Sequence, residues 1–312
     1  MPSPKSSGMR IAILCGGISP ERDVSLRTAV SVQGALIELG NCAEILDWPE
    51  SAVVERYDEL RGYDLVFVGY HGGAGEDGRV QSVLELLGIR YTGSGPSACA
   101  VSMDKIFSKR FFEQAGIPTP EWAVWERPQA PTVDEVVSLC GFGFPIVVKT
   151  PNGGSTVGIS IANDRDELSA GIDVARGFED RILFERFIPG RELTVAVLGG
   201  EGLPVVEIVP SGGFYDYQHK YTSGASEYIC PADISGETAR RLIDCGKRAF
   251  EVLGLRHYGR VDFRLDGESL YCLEANSLPG MTSLSLVPKA AAAVGISFVE
   301  LIQRIIHMAG GK

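Results

Sequence analysis

The stretch GRVDFRLDGESLYCLEANSLPGM, residues 259–281, predicts two strands joined by a tight turn. Apolar and charged residues alternate along the first strand, so the charged ones share one face. Symmetric pairing about Glu268 places Asp262 directly opposite Glu274. Like charges that face each other across a ladder are destabilising, so the two carboxylates require an explanation.

A metal site would explain them. Asp262, Glu274 and Asn276 together supply two carboxylates and an amide oxygen on one face of the predicted hairpin. Mg²⁺ prefers such hard oxygen ligands and completes its shell with phosphate oxygens and water. The alternative is a solvent-facing strand pair whose charges are screened and balanced by Arg264. Arg260 on the same face, and the loop of small residues after the hairpin, favour the metal site.

Composition and charge narrow the function classes. The 312 residues suffice for two or three packed units, and 45% are hydrophobic and 22% charged. The formal net charge is -11 without a dense basic run, which disfavours a nucleic-acid partner but permits a pocket for one nucleotide. No apolar run approaches the roughly 18 residues of a membrane span. Seven cysteines without a C-x-x-C pair indicate reduced core residues, so we expect a cytoplasmic protein.

Residues 10–100 alternate predicted strands and helices, which is typical of a parallel, doubly wound α/β sheet. Four strands are predicted, at RIAILC, CAEILDW, YDLVFVGYHG and IRYTGSG. Ser19 before Pro20 indicates the start of the first helix, and Gly40 indicates its end. Two Gly-rich turns, CGGISPER and YHGGAGEDG, follow strands at the edge where such sheets bind ligands.

Two later units of α+β character follow, and each contains a candidate nucleotide-binding stretch. In VVKTPNGGSTVG, residues 147–158, a lysine ends an apolar strand and a Gly/Ser/Thr loop follows, whose N–H groups would form a nest for phosphate. The spacing fits neither a P-loop nor a G-x-S-x-G elbow, and the alternative is a hairpin turn. In LFERFIPGRELTV, residues 183–195, the connector is either a purine slot or an ordinary polar linker. A polar loop at Pro210–Pro231 is the candidate lid.

Taken together, eight segments resemble the ATP-grasp superfamily, and within it the D-alanine–D-alanine ligase family. They are GGISPERDVSL, HGGAGEDG, YTGSG, SMDK, VVKTPNGGSTVG, FYDYQHKY, GRVDF and LEANSLPGMTSLSLVP. The resemblance runs from about Ile11 to Met308, and the order and spacing of its segments make it specific. It implies an ATP-grasp fold of three subdomains: an N-terminal pre-ATP-grasp α/β domain at 1–103, a central subdomain at 104–185 and a C-terminal subdomain with the lid loop at 186–312.

The resemblance also implies roles for matched residues. Those that would bind ATP are Lys105, Lys149, Ser155, Glu185, Arg186, Ile188, Glu192 and Phe214. Those that would hold two Mg²⁺ ions, with Mn²⁺ as a substitute, are Asp262, Glu274 and Asn276. Those that would bind the two D-alanines are Glu21, His71, Lys220 and Ser285. Those that would act in catalysis are Glu21, Ser155, Tyr221, Arg260 and Gly280.

The implied activity is ATP-dependent ligation of two D-alanines through an acyl phosphate, for peptidoglycan precursor synthesis, by a protein expected to be a homodimer. Arg260 and the Gly280 N–H would stabilise the oxyanion. Glu21, Ser155 and Tyr221 would form a network that latches the polar loop over the site. The sequence departs from the family's pattern at Thr150, usually proline, and at Gly153, commonly glutamate.

Other interpretations remain open at this point. GSGPSA, residues 93–98, fits the G-x-G-x-x-A of a dinucleotide-dependent oxidoreductase, but Pro96 interrupts the expected helix start and no acidic residue follows at the required distance. A non-catalytic nucleotide-binding protein and a ligase for other D-amino acids or dipeptides are further alternatives. His71 would alternatively be a structural loop residue, and Glu76 and Asp77 would be turn formers.

Overall fold

The structure, a computed structural model, describes residues 8–154, 158–210 and 226–310, with no side chain described for Ser226. The described residues form three sheets that follow one another along the chain. Among the described helices, none is both long enough and apolar enough to cross a membrane.

The first sheet is parallel, with strand order β2-β1-β3. Its elements and the helices that follow are β1 (Arg10–Gly16), α1 (Arg22–Glu38), β2 (Cys42–Trp48), α2 (Ala52–Glu55), α3 (Tyr57–Leu60), β3 (Leu65–Val68), α4 (Arg79–Leu86), α5 (Pro96–Met103) and α6 (Lys105–Gln114). The predicted parallel arrangement is therefore confirmed for three strands. All four residues of β3 are buried, as expected for a strand covered on both faces.

Two sequence-based expectations for this unit are wrong. The predicted fourth strand at IRYTGSG forms only an isolated parallel bridge between Tyr91 and Val66, and Gly93 just beyond it adopts φ +93°. Helix α1 begins at Arg22 without a side-chain cap, so Ser19 and Pro20 do not start it. The Ser19 hydroxyl accepts the Glu21 N–H at 3.2 Å in the turn before the helix, and it donates to the carbonyl of His71.

The second sheet is antiparallel, with order β4-β7-β5-β6. Its elements are β4 (Trp122–Trp125), α7 (Val133–Cys140), β5 (Ile146–Lys149), β6 (Ser160–Ala162), α8 (Arg165–Arg176) and β7 (Ile182–Arg186). Helix α7 begins with the capping box that the sequence predicted, in which Thr132 and Glu135 satisfy each other's backbone N–H groups.

The third sheet is also antiparallel, with order β11-β10-β8-β12-β13, and β9 pairs with β8. Its elements are β8 (Arg191–Leu198), β9 (Glu201–Gly202), β10 (Val206–Pro210), β11 (Ser226–Ile229), α9 (Gly236–Val252), β12 (Tyr258–Asp266), β13 (Ser269–Asn276), α10 (Leu286–Ala292) and α11 (Phe298–Gly310).

The β12–β13 hairpin pairs Asp262 with Glu274 and Arg260 with Asn276, as predicted. The symmetric register about Glu268 is nevertheless wrong near the turn. Asp266 pairs with Ser269 there, so the turn has only two central residues, Gly267 and Glu268, and Gly267 adopts a positive φ of 56°. A β-bulge at Leu273 restores the pairing, because β13 carries one residue more than β12 between the turn and Glu274.

The hydrophobic cores cross the predicted domain boundaries. Helices α10 and α11 belong to the same core as β1, β3 and α1, although they are distant in sequence. Helices α5 and α6 pack with α9 and the third sheet. The second sheet, with α7 and α8, has a core of its own. The boundaries at 103/104 and 185/186 stay predictions, and this shared packing joins α6 to the third sheet.

Gly190 lies in the connector between β7 and β8, where the chain passes close to the backbone of β12. Its φ is +94°, and a methyl group there would lie 2.2 Å from the Leu265 carbonyl oxygen. Gly200 has a similar φ of +85°, but no described atom would lie within 4 Å of its added methyl group. Gly200→Ala should therefore lose only about 1–2 kcal/mol of unfolding free energy, and Gly190→Ala clearly more. Denaturant unfolding of both variants measures the difference, and equal losses would contradict the close approach.

Candidate active site

One cavity of about 750 Å³ is lined by strands of the third sheet, by α1 and the turn after β3, by the start of α6, and by the glycine loop after β5. It gathers most of the described residues that the sequence predicted to be functional, namely Glu21, His71, Lys105, Glu192, Arg260, Asp262, Glu274, Asn276, Gly280 and Ser285. A neighbouring cavity of about 570 Å³ is lined by Glu21, Gly153 and Gly154 as well. The fold thus brings together side chains that lie more than 250 residues apart in the sequence.

The facing carboxylates of the hairpin are neutralised within the protein. Arg260 donates from Nε and one terminal nitrogen to the two oxygens of Asp262, at 2.8 Å each. The Thr194 hydroxyl donates to Asp262 Oδ1 at 2.6 Å. Lys105 Nζ lies 3.1 Å from Glu274 Oε2. A cation therefore stands beside each acid, which offsets their mutual repulsion.

The alternative of a solvent-facing strand pair balanced by Arg264 is wrong. Asp262 is only 8% exposed, and its cationic partner is Arg260. Arg264 instead donates to the Ile188 carbonyl at 3.1 Å and lies 3.5 Å from Glu192. Arg264 therefore braces the connector between the second and third sheets.

The donor set of the hairpin fits a hard divalent cation. Asp262, Glu274 and Asn276 line one cavity and supply only oxygen ligands, which suits Mg²⁺. Within the described ranges no group of three or more His, Cys, Asp or Glu side chains is arranged to hold a metal ion, so phosphate and water would have to complete a coordination shell. The Asn276 side-chain oxygen accepts the Leu278 N–H at 3.0 Å and retains a second lone pair.

Lys105 reaches the cavity from the first turn of α6. Asp104 caps this helix by accepting the N–H groups of Ile106 and Phe107, and Arg181 lies 2.9 Å from the Asp104 carboxylate. Besides its contact with Glu274, the Lys105 ammonium donates to the Gly153 carbonyl at 2.6 Å. Gly153, where this sequence departs from the family's pattern, is therefore a residue whose backbone carbonyl contacts Lys105, which is predicted to bind phosphate.

Glu185 and Lys149 do not line the large cavity but form a buried charged group with Lys109. Lys149 pairs directly with one oxygen of Glu185, and Lys109 Nζ lies 2.5 Å from the other. Burial raises the pKa of the Glu185 carboxyl, but attraction from the two lysines outweighs it and leaves that pKa below its usual value. Lys109 was not among the predicted site residues, and its i, i+4 spacing from Lys105 on α6 was the available signal.

The connector residues divide between the interior and the surface. The Arg186 side chain is exposed and pairs with Glu121 at 2.8 Å, whereas Ile188 is buried. Glu192, at the start of β8, lines the cavity. The contacts between this backbone and a purine stay a prediction. The Arg186 side chain itself pairs with Glu121 at the surface.

His71 and Glu76 form a buried polar network at the end of the first sheet. His71 Nε2 lies 3.0 Å from the Thr28 hydroxyl, and His71 Nδ1 lies 3.5 Å from a Glu76 carboxylate oxygen. Burial raises the pKa of the Glu76 carboxyl. Sequence reasoning treated Glu76 as a turn former, whereas its side chain turns inward and lines the cavity. Only its place in a matched motif could have indicated this.

The loop after the hairpin brings Gly280 beside Ser285. A side-chain carbon at Gly280 would lie 2.9 Å from the Ser285 hydroxyl, so only glycine leaves this space free. Ser285 also accepts the Thr282 N–H at 3.0 Å. Gly72, whose φ is +70°, likewise leaves room for the Glu21 side chain. A side-chain carbon at Gly72 would lie 2.9 Å from the Glu21 carboxylate.

Four predicted site residues lie outside the described residues, namely Ser155, Phe214, Lys220 and Tyr221. The network of Glu21 with Ser155 and Tyr221 therefore stays a prediction, as does the lid. Its two ends are described, because β10 ends at Pro210 and pairs there with Ser226 at the start of β11.

The cap of α6 allows a test of how Lys105 is positioned. Asp104→Ala should cost about 0.5–2 kcal/mol of stability through loss of the cap and should weaken nucleotide binding, because Lys105 begins that helix. Asp164 caps α8 with the same pair of backbone bonds and lies outside both cavities, so Asp164→Ala is the matched control. Denaturant unfolding and calorimetric nucleotide titration separate the effects. Equal nucleotide affinities in the two variants would contradict the positioning role.

Comparison with known proteins agrees with this geometry. A family model described as D-ala D-ala ligase C-terminus matches residues 111–307, and one described as D-ala D-ala ligase N-terminus matches residues 47–94. The D-alanine–D-alanine ligase of Synechococcus sp. (strain JA-3-3Ab) is 46% identical, covering 96% of this chain and 93% of that one. The ligase of Syntrophotalea carbinolica is 45% identical, covering 95% of each chain.

Solved structures give the same result for the fold. Two crystal structures of D-alanine–D-alanine ligase from Bacillus anthracis, one complexed with ATP, each match with a TM-score of 0.83 over 97% of both chains. Their sequence identities to this chain are 30% and 32%. The predicted ATP-grasp architecture is confirmed, and the dinucleotide-binding alternative at residues 93–98 is set aside. The chain belongs to the D-alanine–D-alanine ligase family.

Proposed function

We propose that the protein joins two D-alanines into D-alanyl-D-alanine at the expense of ATP, as part of peptidoglycan precursor synthesis. The observation that carries the proposal is the single cavity in which the hairpin acids, Lys105, Arg260 and the Gly280–Ser285 loop meet. The names of the relatives support the same activity. A cytoplasmic location and a homodimeric state are part of the proposal and rest on the resemblance alone.

The reaction would proceed in two steps within this cavity. The carboxylate of the first D-alanine attacks the γ-phosphate of ATP, which yields an acyl phosphate and ADP. The amine of the second D-alanine then attacks the acyl carbon, and inorganic phosphate leaves. Both steps develop negative charge, on the transferring phosphoryl group and on the acyl oxygen, so the protein must place cations and N–H donors at two points.

Asp262, Glu274 and Asn276 would hold the magnesium ions, with Mn²⁺ as a substitute. When bound, the metal would neutralise charge on the phosphoryl group. Lys105 contacts both Glu274 and the glycine loop, so it stands where it can exchange these contacts for a phosphate oxygen. Lys149 would contribute a second phosphate contact from the end of β5.

Arg260 is suited to the oxyanion because its position is already fixed. Its two bonds to Asp262 orient the guanidinium, and a preorganised cation loses no reorganisation energy when charge develops. The Gly280 N–H would act with it. Glu21 would receive the ammonium of the first D-alanine with His71 nearby, and Ser285 would receive the carboxylate of the second. Lys220, Tyr221 and Ser155 would complete the site.

The adenine and ribose would lie along the connector. Glu185 and the backbone at Arg186 and Ile188 would contact adenine, Glu192 would contact the ribose, and Phe214 would belong to the same region. Arg264, which holds both Ile188 and Glu192, would keep this connector in place.

Two arginines on the same strand provide a matched pair of variants. Arg260→Ala should lower turnover by about 10²–10³, as loss of one oxyanion donor does in other acyl-transfer sites. Arg264→Ala should instead raise the KM for ATP, because Arg264 contacts the Ile188 carbonyl of the connector and Glu192, the proposed ribose ligand. A coupled ADP-release assay with Mg²⁺ measures both.

The same assay tests the substrate class when it is repeated with D-alanine, L-alanine, D-serine and D-lactate. The proposal expects release with D-alanine to exceed the others. Unchanged turnover in Arg260→Ala would refute its role, and no ADP release with any of these acids would refute the proposed function.

A further inference from the structure

Lys109 is a fully buried cation for which the proposed reaction has no use. It lies on α6 one turn after Lys105, and its side chain is 0% exposed. A buried ammonium is unfavourable unless it is paired and hydrogen-bonded. Burial lowers the pKa of Lys109, and the charge of Glu185 partly opposes this effect. Burying this ammonium therefore costs desolvation free energy, which its partners must offset.

Its partners connect the two walls of the proposed nucleotide site. Lys109 contacts Glu185 on β7 of the second sheet. On the other side it donates to the Thr119 hydroxyl at 2.6 Å, and that hydroxyl donates to the Cys272 carbonyl on β13 at 2.8 Å. A chain of polar contacts thus runs from the second sheet, through α6, to the third sheet close to Glu274.

The charges in this group do not cancel. Two lysines share the single carboxylate of Glu185, so with both lysines protonated the group holds one more cation than anion. Without Lys109, Glu185 would have Lys149 as its remaining cationic partner in this group, and the pair would be neutral. While Lys109 pairs with Glu185, the positive charge of Lys149 is not fully used by that carboxylate and can attract an anionic ligand.

We propose that Lys109 is a positioning residue for the nucleotide: it holds Glu185 between two lysines and so leaves the Lys149 ammonium available to phosphate. The proposal rests on the proposed role of Lys149 as a phosphate ligand. It assigns Lys109 no contact with substrate, and its effect is transmitted through Glu185 and through the Thr119–Cys272 link.

Calorimetric titration with a non-hydrolysable imido analogue of ATP, with Mg²⁺ and without D-alanine, tests this role. Lys109→Met keeps the length of the side chain and removes its charge, and it should weaken binding of the analogue at least tenfold. Steady-state assays should show the KM for ATP raised by a similar factor with kcat changed less. Val136→Ala is the control for general destabilisation, because Val136 is fully buried in the separate core of the second sheet.

The two variants are first compared by denaturant unfolding. Wild-type affinity in Lys109→Met, or an equal loss of affinity in Val136→Ala, would overturn the proposal and leave Lys109 a purely structural residue. If Lys109→Met does not fold, Thr119→Val removes only the hydroxyl that links Lys109 to β13 and should weaken binding by a smaller factor, whereas wild-type affinity would overturn the proposal.

The titration also separates this proposal from the proposed function. A wild-type protein that binds the analogue but ligates no D-alanine would refute the ligase activity and leave the role of Lys109 intact. A wild-type protein that does not bind the analogue would overturn both.

Discussion

The site depends on the way the β12–β13 hairpin tolerates two carboxylates on facing strands. Asp262 and Glu274 are direct cross-strand neighbours, an arrangement that is unfavourable on its own. Arg260 binds the first with two short hydrogen bonds, and Lys105 from α6 lies beside the second. The repulsion is therefore balanced by the same cations that the reaction would need. Binding of a metal and a triphosphate would redistribute these contacts within an already neutralised cluster.

Helix α6 acts as the common support of the charged groups. It places Lys105 against the third sheet and Lys109 against the second, one turn apart on a single face. Phe112, seven residues after Lys105 and therefore close to the same face, packs into the core of the third sheet. Because the helix is fixed by apolar packing and by its Asp104 cap, the two lysines have little freedom to move. This rigidity keeps the Lys105 ammonium close to where phosphate charge would develop and the Lys109 ammonium against Glu185.

Local patterns predicted much of this structure, and tertiary contacts account for most of the failures. The alternation of apolar and charged residues, with the turn residues, sufficed to predict the hairpin pairing at Asp262. The alternation of strands and helices sufficed to predict the parallel first sheet. The register near the turn was wrong because a bulge at Leu273 has no clear sequence signature. Ser19 resembles a helix cap, but its hydroxyl accepts the Glu21 N–H within a turn and donates to the carbonyl of His71, and the helix begins later, at Arg22. Lys109 went unrecognised because a lysine in a helical pattern is usually solvent-exposed, and only the fold reveals its burial.

The most direct test of the account neutralises both hairpin acids. Turnover is measured as ADP release with Mg²⁺ and D-alanine in the double variant Asp262→Asn/Glu274→Gln. The control is Asp266→Asn/Glu268→Gln, which changes two exposed acids at the turn of the same hairpin. The account predicts that the first variant loses nearly all turnover while remaining folded, and that the control retains it. Intact turnover in the first variant would contradict the claim that these carboxylates exist to hold the metal–nucleotide complex.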